Sequence, residues 1–576
     1  MSRAHVFRWL PGWWTIRHYQ RGWLARDVVA GLVLTTVLLP AGMGYATAAG
    51  LPPITGLYAT IVPLGADALF GPSPLLVLGP DSGLAALIAA AVIAPAAGDP
   101  ERAIALASLL ALLSGAICVA AGFLRAGLVT SLLSKPVRVG YLHGIALTVL
   151  VTQVPKLLGF AVDATDLADG LTQLVEGVVD DRTDPLAIAI GGGCLVVILG
   201  LRAVSPRLPG ILVAIVLATA VVGVLDLGGS LAIVGAVPRG VPLPSLPATD
   251  LAAIQDVFVA AVGIALVSFA DTSILSRTFA GRRSVRVDPD RELIGLGLAN
   301  VASSFFRGFP ISASASRTPV AESAGAKTQV TSLVGALALA GILIAAPRLL
   351  HDLPTTALAA VVIAAVIGMF DLHAFRVFYR VRRSDFLLAV TAFLAVAVLG
   401  VIPGIAVAVG VSILDFVRRA WRPHDAILGR AQGVKGYHDI KRYPDAKQIP
   451  GLVMFRWDAP LFFANADLFR TRILDVVAAA TPRPRWIVIA AEPITDVDST
   501  AAEMIEELDK ELEALGVELA FAEMKDPVKD RLHRYDLTTQ IGNDRFFPTV
   551  GVAVKAFLVE AKVTWLDWED AEPGDR

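Results

Sequence analysis

Arg317 stands where an ionised side chain is least expected. It closes the run Phe305-Phe306-Arg307-Gly308-Phe309-Pro310-Ile311-Ser312-Ala313-Ser314-Ala315-Ser316, which reads as extended chain leading into a short helix from Pro319 to Ala324. It falls within an expected span, and a charge there is costly unless it faces a cavity or a partner. The alternatives are an arginine at an interface or one paired permanently with an aspartate. Ser314 and Ser316 add hydroxyl donors, although capping the short helix would explain either serine equally well. Asp81 lies in a second break, Leu75-Leu76-Val77-Leu78-Gly79-Pro80-Asp81-Ser82, followed by apolar chain to Ala97. Asp271 is a further acid at depth, after the apolar run Val257 to Ala270 and before Thr272-Ser273. Proton carrier and cation ligand are functional readings for it; a salt bridge to Arg317 is the structural one.

Proline removes a backbone donor and clashes with helix continuation, so each break predicts extended chain followed by a half-length helix. Irregular backbone at membrane depth must be buried or line a cavity. Two interrupted segments in corresponding positions of two halves point to a central binding site. If the half-helices meet end to end, each N-terminus offers unpaired N–H groups and about half a positive charge, for which an anion is the natural occupant.

These segments sit within a chain of 576 residues that is 55% hydrophobic and 17% charged. Its mean hydropathy is +0.67. A soluble domain carries about a quarter charged residues, so the composition indicates a polytopic membrane protein. A net charge of -2 argues against nucleic acid as a partner. Cys118 and Cys194 lie in apolar runs without metal-ligand or disulfide spacing and read as small core residues. The stretch from Met1 to Asp27 lacks the apolar core of a cleavable signal.

From 28 to 420 the chain reads as a transmembrane domain of about fourteen helical spans, several short or broken. Val28 to Ala49, Ala103 to Phe123, Ile188 to Leu201, Ile211 to Leu225, Ala252 to Ala270, Thr331 to Ala346, Leu353 to Phe370 and Phe386 to Val401 are the clearest. Arginines before Val28, and again at Arg202, Arg277, Arg376, Arg380, Arg382, Arg383, Arg418, Arg419 and Arg422, predict cytoplasmic loops and two cytoplasmic termini. Trp9, Trp13, Trp14 and Trp23 fit an interfacial aromatic belt, with a soluble amphipathic helix as the alternative. Residues 1–27 are then a cytoplasmic N-terminal segment.

Charges interrupt every apolar run beyond Trp421, marking a separate domain over 421–566 and an acidic tail over 567–576. Strand-like runs Leu452 to Trp457, Trp486 to Ala490 and Val517 to Ala522 alternate with helical patterns at Ala466 to Ala479, Thr500 to Leu515, Val528 to Arg534 and Val550 to Glu560. That alternation predicts a small α/β sandwich.

Several blocks resemble the sulfate permease family, the bacterial relatives of the SLC26 anion transporters. They are Asp27-Val28-Val29-Ala30-Gly31, Leu39-Pro40-Ala41-Gly42-Met43-Gly44-Tyr45-Ala46, Gly56-Leu57-Tyr58, Ser134-Lys135-Pro136-Val137, Gly295-Leu296-Gly297-Leu298-Ala299-Asn300, Ser316-Arg317-Thr318 and Gly325-Ala326-Lys327-Thr328-Gln329. The likeness covers nearly the whole chain. It implies a seven-plus-seven inverted repeat, a core domain moving against a gate domain, a homodimer, and a C-terminal STAS domain carried by Pro460 to Ala466 and Asp498-Ser499-Thr500. It also implies an anion between the third and tenth spans, with Tyr45, Asp81, Ser82, Ser314, Ala315, Ser316 and Arg317 as candidate contacts. Asp271 and Asp81 are the candidate coupling-ion residues, for H+ or Na+. Ser499 matches a position that can be phosphorylated in that fold, and a helix cap is the favoured reading of it here.

Two departures fall at the implied site. Ala41 replaces a usual glutamine, and Asp81 occupies a position commonly small or apolar. An ionised Asp81 would repel an anion, so it either caps the following helix or is neutralised when the anion binds. The function implied is secondary transport of a small inorganic or organic anion, of the sulfate, bicarbonate or dicarboxylate class, by symport with H+ or Na+ across a bacterial inner membrane. A nucleobase-type permease and a membrane-anchored signalling protein, whose STAS domain binds a cytoplasmic partner, are the alternatives. No H-E-x-x-H, G-x-S-x-G or P-loop occurs, and the eight histidines show no ligand spacing, so neither an enzyme, a metal site nor a cofactor is expected. His143, inside a span, reads as a buried hydrogen-bonded histidine or a proton shuttle.

Overall fold

The computed structural model describes residues 11–12, 17, 19–126, 134–162, 167–205, 209–247, 251–283, 288–314 and 316–565. Trp9, Trp13, Trp14, Ala315 and the tail 567–576 lie outside the described residues. The chain divides into two units, Met1–Ser412 and Ile413–Arg576.

The first unit is helical. In chain order it contains α1 (Leu24–Ala48), α2 (Pro53–Phe70), β1 (Leu78–Gly79), α3 (Ser82–Ala96), α4 (Pro100–Phe123), α5 (Lys135–Leu158), α6 (Leu167–Val179), α7 (Pro185–Val204) and α8 (Gly210–Val224). Then follow α9 (Leu251–Arg283), α10 (Pro289–Phe305), β2 (Ser312–Ala313), α11 (Arg317–Ser323), α12 (Val330–Ala345), α13 (Thr355–Ile367), α14 (Leu372–Val381) and α15 (Arg383–Leu399), and α16 (Val401–Trp421) runs across the boundary between the units. Among the described residues eight helices are long and apolar enough to cross a membrane, and three shorter apolar helices accompany them. The largest boundary difference from the sequence reading is at α9, which does not stop at Ala270 but continues to Arg283, so Asp271 lies within a helix and not at its end. Thr272 and Ser273 are buried on that helix.

Glycine sets how closely these helices approach. A Cβ on Gly115 of α4 would stand 2.7 Å from the Gly297 carbonyl oxygen of α10, and one on Gly297 would meet the Gly115 carbonyl at the same distance. Gly140 of α5 is packed in the same way against the Ala389 backbone of α15. Small residues allow this backbone contact, which supplies the van der Waals attraction that lipid solvent cannot provide through a hydrophobic effect.

Two family-like blocks distant in sequence prove to be halves of one polar joint. Asp27 Oδ1 accepts from the Lys327 and Thr328 amides at 2.6 and 3.2 Å and from the Thr331 hydroxyl at 3.0 Å. Its Oδ2 accepts from Thr328 and Tyr19 at 2.8 and 2.9 Å. This buried carboxylate ties the start of α1 to the start of α12. Gln329 performs a related task, its Nε2 donating to Asp67 Oδ2, Ser73 O and Leu76 O at 2.9, 2.8 and 3.0 Å. The extended chain before β1 is thereby held without a regular ladder of its own.

In the second unit, β3 (Asp425–Arg430), β4 (Tyr437–Asp439), β5 (Leu452–Trp457), β6 (Trp486–Ala490), β7 (Glu518–Ala522) and β8 (Phe546–Phe547) form one sheet in the order β4-β3-β5-β6-β7-β8. Pairing is antiparallel at β4, β3 and β5 and parallel from β5 to β8. Val453, Phe455, Ile487, Ile489, Leu519 and Phe521 face α17 (Ala466–Ala479) and α18 (Ser499–Ala514). Their neighbours Met454, Val488 and Ala520 face α21 (Val550–Ala561) on the other side. The period-two alternation makes both faces of the sheet apolar, and helices cover both. Between them, α19 (Asp526–Arg534) and α20 (Leu537–Ile541) complete the unit.

Candidate functional site

The two breaks meet. β1 and β2 pair antiparallel with Leu78 opposite Ala313 and Gly79 opposite Ser312. Flanking bonds extend the contact: the Ser314 amide donates to the Val77 carbonyl at 3.0 Å, and the Val77 amide donates to the Thr318 hydroxyl at 3.2 Å. The Thr272 hydroxyl of α9 accepts from the Ala313 amide at 3.3 Å. The irregular backbone is thus satisfied inside the protein, as its depth requires.

This crossing positions Arg317 at the first turn of α11. The side chain is 0% exposed. One guanidinium nitrogen, Nη2, donates to the Pro80 carbonyl, whereas Nε and Nη1 have no hydrogen-bond partner. Gly79 makes room for it: its φ is +152° and an added Cβ would stand 3.2 Å from Arg317 Nη1. Two buried charge-bearing donors without acceptors are costly.

The helix ends themselves are less open than the sequence suggested. Asp81 is the N-cap of α3, its Oδ2 accepting from the Gly83 amide at 2.9 Å. On α11 the Ser314 hydroxyl accepts from the Arg317 amide at 3.2 Å. Both first turns are therefore occupied by side-chain oxygens, and the expectation of unpaired helix-end amides is corrected. Ser314 takes the capping part. The Ser316 hydroxyl caps nothing and lies 3.2 Å from that of Ser314.

Tyr45 of α1 is buried beside this pair. Its hydroxyl is within hydrogen-bonding reach of Ser82 and within electrostatic range of Asp81 and Arg317. Tyr45, Asp81, Ser82 and Arg317 are thus brought together, and Ser314 and Ser316 stand at the edge through Arg317. Ala41 is buried in α1. Asp271 does not pair with Arg317; the charged groups near it are Asp81 and Arg138. The salt-bridge reading of Asp271 is therefore withdrawn.

One residue was overlooked in the sequence. Tyr141 of α5 is 0% exposed, its hydroxyl has no partner, and its charged neighbours include Asp271, Arg138 and Asp81. A polar ring one helical turn after Arg138 was the available signal. His143 is a satisfied structural histidine. Nδ1 lies 2.7 Å from the Val139 carbonyl, Nε2 accepts from the Asp371 amide at 2.9 Å, and Phe370 and Phe375 meet the ring edge-on.

In the second unit Asp498, not Ser499, caps α18, accepting from the Ala501 amide at 2.8 Å. That corrects the reading of Ser499 as the cap. Its neighbour leaves Ser499 exposed at the first position of the helix.

Residues 24–392 match the sulfate permease family and residues 443–553 match the STAS domain. A Mycobacterium tuberculosis protein named "Probable sulfate transporter" is 41% identical over 551 residues, covering 95% of this chain and 98% of its own. Human solute carrier family 26 member 6 is 31% identical, with 81% of this chain and 64% of that one aligned. Among solved structures, the murine solute carrier 26 family member A9 anion transporter in its inward-facing state superposes with a TM-score of 0.88, covering 97% of this chain and 95% of that one at 22% identity. The transmembrane domain of a cyanobacterial bicarbonate transporter gives 0.60 over 66% of this chain and 97% of its own, also at 22% identity.

Proposed function

This chain belongs to the sulfate permease family, a family of transporters and not of enzymes, and we propose that it is a secondary active transporter that carries one small anion on Arg317. The observation that carries this reading is the fully buried guanidinium whose Nε and Nη1 lack acceptors at the crossing of the two broken segments. Sulfate, bicarbonate and small dicarboxylates all present oxygens that a planar fork of N–H donors can hold. Tyr45 and Ser82 supply hydroxyls beside it.

Coupling follows from the acids around the anion. Asp81 takes a proton as the anion arrives, which removes a repulsion between like charges a few ångströms apart. Asp271, near Asp81 and Arg138, is the second coupling position, for H+ or Na+. Transport proceeds by movement of a core domain carrying both breaks against a gate domain. The working form is a homodimer in a bacterial inner membrane, with both termini and the STAS domain on the cytoplasmic side. A cytoplasmic protein docking on the STAS domain would regulate it, with Ser499 as the exposed position open to phosphorylation.

Uptake of radiolabelled sulfate, bicarbonate and succinate into proteoliposomes, with and without sodium and pH gradients, tests the proposal. Arg317→Ala is expected to lower uptake at least about a hundredfold, since it removes a buried charge-assisted contact. Uptake unchanged in that variant would place the anion elsewhere.

A further inference from the structure

The helix α14 lies between two apolar helices and is too short to be a span itself. Its ten residues rise about 15 Å, half of a hydrocarbon core. Both of its ends are fixed. At the start, Asp371 accepts from the Ala374 amide at 2.9 Å, while its own amide donates to His143 on α5. At the other end the single extended residue Arg382, with φ -153° and ψ 106°, turns the chain directly into α15. One face packs inward: Ala374 and Phe378 are buried with Val139 of α5 and Ala389 of α15. Phe375 and Tyr379 meet the Phe386 ring edge-on at 6.3 and 5.3 Å. The helix is thus docked at the corner where one apolar run ends and the next begins, which is the boundary between hydrocarbon and water.

The opposite face mixes charge with apolar surface. Arg376 and Arg380, one turn apart, are exposed, and Leu372, Val377, Tyr379 and Val381 are exposed on either side of them. Like charges at this spacing repel. Even so, Arg376, Arg380 and Arg383 have no acidic partner among the described residues, and Arg382 reaches Asp385 only at 3.9 Å. Asp371 is spent on the helix cap. Arg202, in the last turn of α7, joins the group from far away in sequence, since a Cβ on Gly368 would stand 3.2 Å from its Nη1. An acidic protein in water could neutralise these guanidinium groups but would leave the flanking apolar side chains uncovered. A phospholipid layer meets both, because acyl chains cover the apolar flanks while phosphate oxygens accept from the planar forks.

We infer that α14 is an interfacial anchor that binds net-negative phospholipid headgroups through Arg376, Arg380, Arg383 and Arg202. A zwitterionic headgroup carries its own ammonium beside the phosphate and so answers the arginines less well. Each arginine near an anionic lipid surface strengthens binding about fivefold.

Native mass spectrometry of the full-length protein in a neutral detergent, titrated with phosphatidylglycerol or with phosphatidylcholine of the same acyl chains, tests the inference. Wild-type protein is expected to hold phosphatidylglycerol at least about tenfold more tightly. The triple variant Arg376→Gln/Arg380→Gln/Arg383→Gln should weaken that affinity at least about tenfold and leave phosphatidylcholine unaffected, whereas lysine at the same three positions should stay within about threefold of wild type. Phosphatidylglycerol affinity that is the same in the glutamine variant as in wild type overturns the inference. So does complete displacement of the lipid by inorganic phosphate, which would make this a site for a free anion. A second measurement does not depend on the triple variant folding. In full-length protein with Cys118 and Cys194 replaced by alanine, a nitroxide is attached at Leu372→Cys and the protein is placed in phosphatidylglycerol vesicles. Molecular oxygen is expected to relax the label more than a water-soluble nickel complex does. The reverse order puts this face in water, overturns the lipid anchor and leaves the arginines to an acidic protein.

Discussion

At the scale of single residues, the pair Gly79 and Arg317 shows how a backbone conformation sets up chemistry. Only a residue without Cβ both adopts φ +152° readily and leaves Nη1 its space. Gly79→Ala is therefore expected to raise the KM for anion uptake about tenfold, through a strain of roughly 1–2 kcal/mol at the site. A KM unchanged from wild type would show that Arg317 tolerates displacement. Arg317 itself was legible in the sequence as a charge within an expected span, and so was the cap role open to Asp81. Tyr141 was not, because an aromatic residue in a span is ordinary until its hydroxyl is seen to lack a partner.

At the scale of elements, the contact of α4 with α10 depends on reciprocal glycines. Gly115→Val places a branched side chain where the Gly297 carbonyl already stands, and is expected to abolish recovery of folded protein from detergent extracts, read by size-exclusion chromatography. Overpacking of this kind costs about 1–3 kcal/mol even where neighbours can yield, and backbone cannot. A milder effect belongs to α18. Asp498→Ala should destabilise the second unit by about 1 kcal/mol through loss of the cap, measured as a lower thermal unfolding midpoint, while Ser499→Ala should leave it unchanged. The strands β5 and β6 and the helices α17 and α21 were readable from periodicity alone. β3, β4 and β8 were not: β4 and β8 are short edge strands, and β3 is set by its pairing with β4 and β5 on either side.

At the scale of the whole molecule, a lock between α1, which carries Tyr45, and α13 tests the proposed movement of core against gate by asking whether these two helices must slide. A Cβ on Gly44 would lie 3.2 Å from Val362 Cγ2, close enough for a disulfide between these two helices. The natural cysteines Cys118 and Cys194 are free and buried. In a background with both replaced by alanine, oxidised Gly44→Cys/Val362→Cys protein is expected to lose at least about nine-tenths of its uptake and to regain it on reduction, as expected of a transition between two discrete packings. Full uptake in the cross-linked state would rule out relative motion of these two helices.

The sequence by itself determined the environment and the family. Apolar runs of spanning length, the two proline-containing breaks and the change of composition after Trp421 follow from local chemistry, which each segment carries without its neighbours. Tertiary structure decided what those segments do together. It joined Asp27 to residues 327–331 across the fold, paired Leu78 and Gly79 with Ala313 and Ser312, and separated Asp271 from Arg317. It also closed both helix ends that the sequence had left open to an anion, and left two guanidinium donors unmet instead. Partners hundreds of residues apart leave no periodic trace in either segment, so only the packed chain shows which buried polar groups remain for a ligand.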